Sequence, residues 1–560
     1  MVISNKFKLF LLVCIFLYQT SVCSKIKEAE DFNPKYLSDY LSAVISYGNQ
    51  NNEESVKYFN LSKVLIDEYK EYLKDYVFAL VLNSQVEKAI NQIELKKNQD
   101  NSNFFEADLL LLIDNFKKKK FRQNVALLSD LKRYQNQNNY NFIIYETLNS
   151  YNNLFLNKVY SKQENNFGKL SSINEALQFC YLNSKESESK FINLINSDDG
   201  DYSRYLFFYL NYIINKNDLD SAKQISETIK DIGSSLLIAQ TKNWIQNSKF
   251  DKIKEVFSCQ NETDLLSEFF FLISNFLALE KNYEKSNFFA QISIYLNPKF
   301  YFNFTHLIEN YLENEKFNNA KSLLKKFKKK DKIFYWFRLK KTFEIISLEQ
   351  NSKESLKYIE EKFNNYNNPP INILLDMANI YKRNKQFKKS IKMYTSVLNK
   401  IDQSTNIYAE ILYRRGGSYE RIGDYSNSDK DLIQSLSIKP NDPYVMNYLA
   451  YGWLERNYKI NEAIMMLEKA YKQKTNDPFI IDSVGWGYYL VDDFINAEKF
   501  LRKAIQLMPK DPIVNDHYGD VLWKLNRKIQ AKYYWESAIN SGEINEEIKS
   551  KISFKLLKGL

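Results

Sequence analysis

A pattern of small and apolar residues recurs about every 34 positions in the last third of this chain. The segment DPFIIDSVGWGYYLVDDFINAEKFLRKAI, which begins at Asp477, returns as DPIVNDHYGDVLWKLNRKIQAKYYWESAI, which begins at Asp511. A fixed period of about 20–50 residues is typical of proteins that stack one supersecondary unit on the next. The chain is therefore predicted to be a solenoid, a single object whose units contact only their neighbours along the sequence.

Small side chains are the most regular part of the pattern, and we expect them where the two helices of each unit cross. Gly485 sits inside a predicted helix, where glycine costs about 1 kcal/mol relative to alanine. Overfilling a close-packed contact costs about 1–3 kcal/mol, so packing explains the glycine. The predicted packing positions are Gly416, Ser428, Ala450, Ala463, Ala470, Gly485, Ala497, Ala504, Gly519, Ala531 and Ala538.

These residues resemble the tetratricopeptide repeat, a helix-turn-helix unit with small residues at its positions 8, 20 and 27 and proline near position 32. The resemblance implies an all-α fold, an α-solenoid that winds into a right-handed superhelix. Only 13 glycines and 9 prolines occur in 560 residues, which also favours long helices. Weaker copies of the repeat are centred on Ser55, Ala89, Asn124, Ala222, Ser286 and Ala320.

Repeat quality divides the chain into a predicted degenerate helical region at 24–368 and a well-formed array at 369–540. Pro369 and Pro370 are interpreted as a break between two superhelical arms, because a residue before proline avoids the helical region. Residues 541–560 are predicted to be a capping helix with an apolar stripe of Ile544, Ile548, Ile552 and Phe554. A helix that lies on a membrane surface is the alternative.

The N-terminus has the pattern of an export signal at residues 1–23. Lys6 and Lys8 precede an apolar run from Leu9 to Tyr18, which is shorter than the roughly 20 residues needed to span a bilayer. A membrane anchor is the alternative. Lipidation of Cys23 also stays open, although Thr20 and Val22 do not fit the lipoprotein signal.

Two cysteines, Cys180 and Cys259, remain if the signal is cut after Cys23. They are 79 residues apart, which is more than two repeats, whereas a disulfide needs Cα atoms within about 7 Å. We therefore expect two buried free thiols.

The net charge of +10 is modest for 560 residues. Two lysine runs, Lys117 to Arg122 and Lys325 to Lys332, could meet nucleic acid or anionic lipid. Both are predicted at the ends of helices, where cations offset the helix dipole. We therefore expect no nucleic-acid partner, with peripheral membrane association as the open alternative.

Motifs for catalysis, cofactors or metals are missing from the sequence. With only two histidines, His306 and His517, the two-histidine helix of a zinc protease cannot be built. The chain also has no phosphate-binding loop, no G-x-S-x-G and no G-x-G-x-x-G. We expect a protein that is not an enzyme and that needs no cofactor.

In tetratricopeptide arrays the first helices line a concave groove. The positions that point into it in that family correspond here to an aromatic surface with a few charges, and aromatic rings are the side chains that contribute most to binding when buried. The predicted protein-binding residues are Tyr413, Arg414, Glu420, Tyr448, Tyr451, Phe479, Trp486, Tyr489, Asp516, His517, Asp520 and Trp523.

About 100 C-terminal residues are similar to the exported tetratricopeptide repeat proteins of Gram-negative bacteria, of the alphaproteobacterial type. The similarity is carried by the phrases L-x-Y-x-W from Leu449, D-S-x-G-W-x-Y-Y from Asp482 and N-D-H-x-G-D-x-x-W from Asn515. Some relatives are outer-membrane lipoproteins that present cell-wall hydrolases to a carboxyl-terminal processing protease.

The resemblance implies a non-catalytic adaptor in the periplasm or at the periplasmic face of the outer membrane. Its partners would be an envelope protease, cell-wall hydrolases or outer-membrane proteins. An assembly factor or chaperone for outer-membrane or surface proteins is the alternative function, because it would use the same groove on extended chains.

Overall fold

A computed structural model of the protein describes residues 33–97, 102–136, 139–197, 201–329, 332–541, 544 and 546–560. Within these residues every regular element is a helix and no strand occurs. The predicted signal segment, with Cys23, lies outside the described residues. Contacts divide the chain into two units, one of residues up to 338 without 231–233, the other of 339–560 with 231–233.

The first unit is a series of helices joined by short connections, with one 3₁₀ turn at Lys63–Asp67. Its α-helices are α1 (Pro34–Gly48), α2 (Asn52–Leu61), α3 (Tyr72–Leu82), α4 (Val86–Lys96), α5 (Phe105–Lys117), α6 (Asn124–Lys132), α7 (Asn139–Asn157), α8 (Lys169–Tyr181), α9 (Ser187–Ile195), α10 (Arg204–Asn215), α11 (Leu219–Glu227), α12 (Leu236–Gln246), α13 (Phe250–Val256), α14 (Glu262–Leu279), α15 (Tyr283–Leu296), α16 (Phe302–Glu313) and α17 (Phe317–Leu324).

Helix α18 (Lys332–Glu349) spans the division between the units, and the second unit continues with a more regular series. That series is α19 (Ser352–Phe363), α20 (Ile371–Arg383), α21 (Phe387–Leu398), α22 (Asn406–Glu420), α23 (Tyr425–Ile438), α24 (Pro443–Glu455), α25 (Ile460–Gln473), α26 (Pro478–Leu490), α27 (Phe494–Leu507), α28 (Pro512–Lys524), α29 (Lys528–Asn540) and α30 (Glu546–Lys558).

Each repeat of the second unit starts with the same local signal. Asp442, Asp477 and Asp511 cap the first helices by accepting hydrogen bonds from the backbone N–H groups of the first turn, and each is followed by proline. Aspartate at the N-cap and proline at the first helical position both favour a helix start. Inside each pair the turn contains a residue with positive φ, such as Asp492 (60°) or Asn526 (61°).

Successive helices pack as pairs and each pair packs on the next, so the prediction of an all-α solenoid of helix-turn-helix units is confirmed. All the predicted packing positions named above are buried. At Gly485 an added Cβ would lie 2.6 Å from Leu501 Cγ and 3.2 Å from the backbone nitrogen of Leu501. Gly487, which is not among the predicted packing positions, faces Ile464, whose Cγ1 would be 2.9 Å from such a Cβ.

These distances predict opposite effects for two glycine-to-alanine substitutions. We expect Gly485→Ala to lower the free energy of unfolding by about 1–3 kcal/mol, because Leu501 and its helix must move. Gly452, in the equivalent helix of the preceding repeat, has only Arg456 Nη2 at 4.0 Å from an added Cβ, so Gly452→Ala should raise stability by up to about 1 kcal/mol. Urea unfolding of both variants shows whether each substitution lowers or raises the free energy of unfolding. A Gly485→Ala variant that is more stable than the unchanged protein would contradict the packing explanation.

Helices α14 and α15 of the first unit use serine where the last two repeats of the second unit use alanine or glycine. Ser274 Oγ donates to the backbone oxygen of Ser286, and Ser286 Oγ donates back to that of Ser274, both at 2.7 Å. Ser267 and Ser293 form the same reciprocal pair at 2.8 and 2.7 Å. The short hydroxyls satisfy one another, so a polar residue can occupy a buried helix crossing.

Contacts in the first unit also join helices that are far apart in sequence. The rings of Phe78 and Phe288 stack at 4.7 Å, and Ser84 Oγ donates to Gln291 Oε1 at 3.1 Å. Helix α15 thereby packs on α3 and α4. The expectation that units contact only their neighbours does not hold here, because these helices carry apolar side chains on more than one face.

The prediction of two free thiols is wrong. Cys180 and Cys259 form a disulfide with Cα atoms 5.7 Å apart. Helix α14 returns to the end of α8, where Tyr181 donates to Glu262 at 2.9 Å. The two cysteines are more than two repeats apart in sequence, but they are neighbours because the chain folds back on itself. The prediction assumes that distance in space grows with the number of repeats between two residues.

Helix α30 packs on the last repeat through one apolar stripe. Ile552 is fully buried, and Ile544, Ile548 and Leu556 pack around the same core. Phe554, which was predicted on this stripe, is instead 62% exposed. Two helical positions turn a side chain by about 200°, so Phe554 lies on the face opposite to Ile552 and Leu556 occupies the stripe.

Candidate functional site

The predicted groove residues come mainly from α22, α24, α26 and α28, the first helices of four successive pairs. Helix α24 contacts α26, and α26 contacts α28 directly. The aspartate–proline starts of α24, α26 and α28 set the same register in each helix. Side chains from different repeats are therefore brought together along one surface of the second unit.

Aromatic side chains from three repeats form a continuous cluster on this surface. The indole of Trp486 stacks on His517 with ring centroids 4.1 Å apart and on Tyr489 at 4.7 Å. Tyr451, from the preceding repeat, lies 6.5 Å from His517. Offset stacking at these distances adds to the stabilisation that burial alone provides. The structure thus brings together four of the predicted residues.

A buried carboxylate holds His517 in place. Both oxygens of Asp482 lie near His517 Nδ1, at 3.0 and 3.1 Å, and both side chains are buried. Burial by itself lowers the pKa of His517, but the carboxylate of Asp482, aided by Asp516 and Asp520, outweighs it and raises the pKa. An imidazolium under Trp486 is the expected form at moderately acidic pH.

The two histidines of the chain should have pKa values shifted in opposite directions from the ordinary value of 6.5. Burial lowers the pKa of His306 to about 4, whereas the pKa of His517 is raised. His517 therefore contributes stability that is complete below pH 6.5 and is lost as the pH rises through its folded pKa. His306 contributes stability that is lost as the pH falls from 6.5 towards about 4.

An NMR titration can follow both imidazoles, because only two histidines occur. We expect one signal to titrate near pH 4 and the other above 6.5. Asp482→Asn should lower the pKa of His517 and leave that of His306 unchanged. Two signals that both titrate near 6.5 would contradict the burial and ion pair described above.

The acidic end of the predicted groove is occupied by the chain itself. Lys555 of α30 lies 2.8 Å from Asp516 Oδ1 and 2.7 Å from Asp520 Oδ2. Burial and the neighbouring Asp516 raise the pKa of Asp520 to about 6 against the opposing effect of Lys555. Trp523 is covered too, since a Cβ at Gly559 would collide with its indole. These three predicted residues face α30.

A cavity of about 470 Å³ remains open beside the ends of α22 and α24. Tyr448 and Tyr451 line it, and Tyr448 donates to Glu420 at 3.1 Å. Glu455 also lines it and accepts a hydrogen bond from the indole N–H of Trp486 at 3.1 Å. Tyr413 packs edge-on against Tyr448 with centroids 5.7 Å apart. The open part of the groove thus combines tyrosine rings with two carboxylates.

The two remaining predicted residues lie at the margins of this surface. Arg414 is held by Asn379 at 3.1 Å and by Glu410 at 2.5 Å, and it lines a smaller cavity of about 330 Å³ with Lys382. Phe479 is 59% exposed. Its ring is available to a partner without any rearrangement.

Sequence reasoning missed Glu455, Arg421 and Arg456, which line the larger cavity. A signal for them exists, because Glu-Arg occurs at 420–421 and again at 455–456, one repeat later. This charged pair lies outside the small and aromatic positions that define the repeat.

Two further findings concern the described residues as a whole. Among them, no group of three or more histidine, cysteine, aspartate or glutamate side chains has an arrangement that could hold a metal ion. None of the described helices combines the length and apolar character needed to cross a membrane.

Comparison with known proteins identifies the repeat. Residues 409–442 match the family described as Tetratricopeptide repeat. A TPR repeat-containing protein of Pseudomonas aeruginosa is 30% identical over 150 residues, which cover 27% of this chain. The chain spans only 25% of the length of that relative.

Solved structures with similar helical repeats include PilW, described as a widely conserved type IV pilus biogenesis factor. It is 18% identical, with a TM-score of 0.30, and the match covers 34% of this chain and 86% of PilW. MamA from Desulfovibrio magneticus is 15% identical, with a TM-score of 0.27, and covers 31% of this chain and 96% of its own. A likeness at this level carries no functional argument.

Proposed function

We propose that the protein is a non-catalytic scaffold of the bacterial cell envelope whose second unit binds a segment of another polypeptide. The observation that carries this proposal is the surface formed by Tyr448, Tyr451 and Trp486 beside the open cavity. Tyrosine and tryptophan are enriched at protein interfaces, because they bury much apolar area and keep a polar group for hydrogen bonding.

The charges of the cavity favour a particular kind of segment. Glu455 places a carboxylate beside the rings, whereas Glu420 is paired with Arg421 at 3.4 Å and Asp429 is paired with Arg456 at 2.8 Å. A lysine or arginine of the partner could reach Glu455, and an adjacent apolar side chain could pack on Phe479. Burying an aromatic side chain contributes roughly 2–3 kcal/mol, whereas an exposed ion pair contributes about 0–1.

Export from the cytoplasm is supported by two independent features. The first 23 residues have the sequence pattern of an export signal, and the described residues contain the Cys180–Cys259 disulfide. Disulfides persist in oxidising compartments such as the periplasm and are rare in the cytosol. We therefore place the proposed scaffold in the periplasm or at the periplasmic face of the outer membrane.

The partners we propose are an envelope protease and its cell-wall hydrolase substrates, as the C-terminal similarity implies. An adaptor needs no chemistry of its own. Holding two partners on one array makes their encounter nearly intramolecular, and the overall avidity of such a linked assembly can exceed either single affinity by about 10²–10⁴-fold.

Affinity purification from native envelopes, followed by crosslinking mass spectrometry, tests this function with matched variants. Phe479→Ala and Glu455→Lys change exposed groove side chains and should reduce recovery of the specific partner at least about fivefold. Ile495→Ala and Glu462→Lys are the controls, because Ile495 is 71% exposed and Glu462 is exposed on the second helices of the repeats. The controls should recover the partner like the unchanged protein.

The outcome separates the two functions that share this groove. Stoichiometric recovery of one folded protease or hydrolase supports the adaptor. Weak recovery of many extended outer-membrane or surface proteins would instead support the assembly factor. If groove variants and controls recover the same proteins in the same amounts, the groove is not the binding surface.

A further inference from the structure

The first unit contains a cavity that is larger than the 470 Å³ cavity of the second unit. Its charged side chains are mainly basic, whereas those of the smaller cavity are mainly acidic. It encloses about 720 Å³ beside the turn between α3 and α4, the end of α5 and helices α15 and α16. Small-molecule sites usually have volumes of about 300–1,000 Å³. Its charged lining consists of Lys117, Lys325, Lys326, Lys328 and a single acid, Glu87.

Folding brings the two lysine runs of the sequence together at this cavity. Lys117 belongs to the first run and the other three lysines belong to the second, more than 200 residues later. Packing of α15 on α3 and α4 explains the meeting. A position at the end of a helix therefore does not explain why lysines of both runs line the same cavity.

Two neighbouring lysines of the first run form ion pairs, whereas Lys117 at the cavity forms none within the described residues. Lys118 pairs with Asp114 at 2.7 Å, and Lys119 pairs with Glu262 at 3.0 Å. Lys117 forms no ion pair with a described residue; its ammonium lies 3.6 Å from the ring centroid of Tyr295. Burial lowers the pKa of Lys117 in spite of the carboxylates of Glu87 and Asp114, so a bound anion would relieve an unfavourable charge.

Aromatic rings form a further part of the cavity lining, next to small polar and aliphatic side chains. Tyr295 and Tyr301 line the cavity, and Tyr301 is 43% exposed. Lys326 lies 4.8 Å from the ring centroid of Phe304, which is buried beneath it. Rings of this kind pack against the flat face of a sugar or a base and leave hydroxyl groups free to hydrogen-bond.

The choice of cation indicates which anion fits. Lysine is a compact point charge that commonly binds phosphate. A phosphate monoester carries a charge of about −1.5 to −2 at pH 7, so it matches four lysines opposed by one acid better than a singly charged carboxylate does. The charged lining of this cavity contains lysine and no arginine. We propose that the cavity binds a phosphate-bearing ring compound, with Lys117 and Lys326 contacting the phosphate and Tyr295 and Tyr301 contacting the ring.

Isothermal titration of the whole protein tests the site with matched ligands and variants. The probes are glucose 1-phosphate, adenosine monophosphate, glucose without phosphate and inorganic phosphate; phosphatidylglycerol and phosphatidylcholine vesicles test a membrane source. The Lys117→Gln/Lys326→Gln variant should weaken binding of the phosphorylated rings by about tenfold or more, because it removes two charge-assisted contacts. Lys216→Gln is the control, since Lys216 lies over the Tyr212 ring at 4.4 Å outside the cavity.

Each outcome decides the proposal. Binding of the phosphorylated rings that exceeds binding of glucose and inorganic phosphate, and that falls in the double variant only, supports it. Binding confined to phosphatidylglycerol vesicles overturns it, because that headgroup carries a phosphate but no ring. The proposal is overturned if no phosphate compound binds, if Lys216→Gln weakens binding equally, or if an acidic peptide such as polyglutamate binds more tightly.

Discussion

Replacing Cys180 and Cys259 with alanine is expected to lower the free energy of unfolding by about 4 kcal/mol. The disulfide closes a loop of 79 residues, and a crosslink of that length removes a large part of the conformational entropy of the unfolded chain. Both side chains are 1% exposed, so alanine avoids the buried, unpaired hydroxyl that serine would introduce.

Urea unfolding followed by circular dichroism, with and without dithiothreitol, measures this effect. Reductant should destabilise the unchanged protein by a similar amount and leave the double alanine variant unaffected. That variant is the control for any other action of the reductant. Equal midpoints for all four samples would mean that the two thiols do not form the crosslink.

The second large effect is expected for Arg204→Met. Arg204 binds Glu268 through two hydrogen bonds of 2.8 and 2.6 Å, and the side chain of Glu268 is 0% exposed. The guanidinium also lies 3.9 Å from the ring centroid of Phe271. Removing the cation leaves a buried carboxylate without its counter-charge, and such changes cost about 3–5 kcal/mol.

A double-mutant cycle separates the ion pair from simple loss of packing. The Arg204→Met/Glu268→Leu variant should recover most of the lost stability, because an apolar pair of similar volume often replaces a buried ion pair with little cost. Lys74→Met is the matched control, since Lys74 and its partner Glu71 are 43% and 60% exposed, and exposed pairs contribute about 0–1 kcal/mol. If Arg204→Met were no more destabilising than Lys74→Met, the buried pair would not be a stability determinant.

The helical repeat was predictable because its signals are local. The pairs Asp442–Pro443, Asp477–Pro478 and Asp511–Pro512 recur with the repeat, and each aspartate caps a helix in the structure. The aromatic groove residues were also found from the repeat register, which brings Trp486, Tyr489 and His517 into one stack. Their role in binding remains a prediction.

Other features of the groove were not accessible to a local pattern. The repeat register placed Asp516, Asp520 and Trp523 on the groove surface, whereas the structure covers them with α30 and pairs both acids with Lys555. Lys555 is 35 residues from Asp520 in sequence. Because an ion pair depends on where a later helix docks, the repeat register could not show that these acids are occupied.

By itself, the sequence determined the helical class, the register of the well-formed repeats and the positions of the close helix contacts. These follow from backbone sterics, capping and side-chain size within about 34 residues, so no distant part of the chain is needed to read them. Tertiary structure alone decided that Cys180 meets Cys259 and that Lys117 and Lys326 line the same cavity. Both arrangements depend on how the apolar faces of α14 and α15 pack against helices that are distant in sequence. The hydrophobic effect is non-directional, so a pattern of local spacing does not show which distant apolar faces pack together.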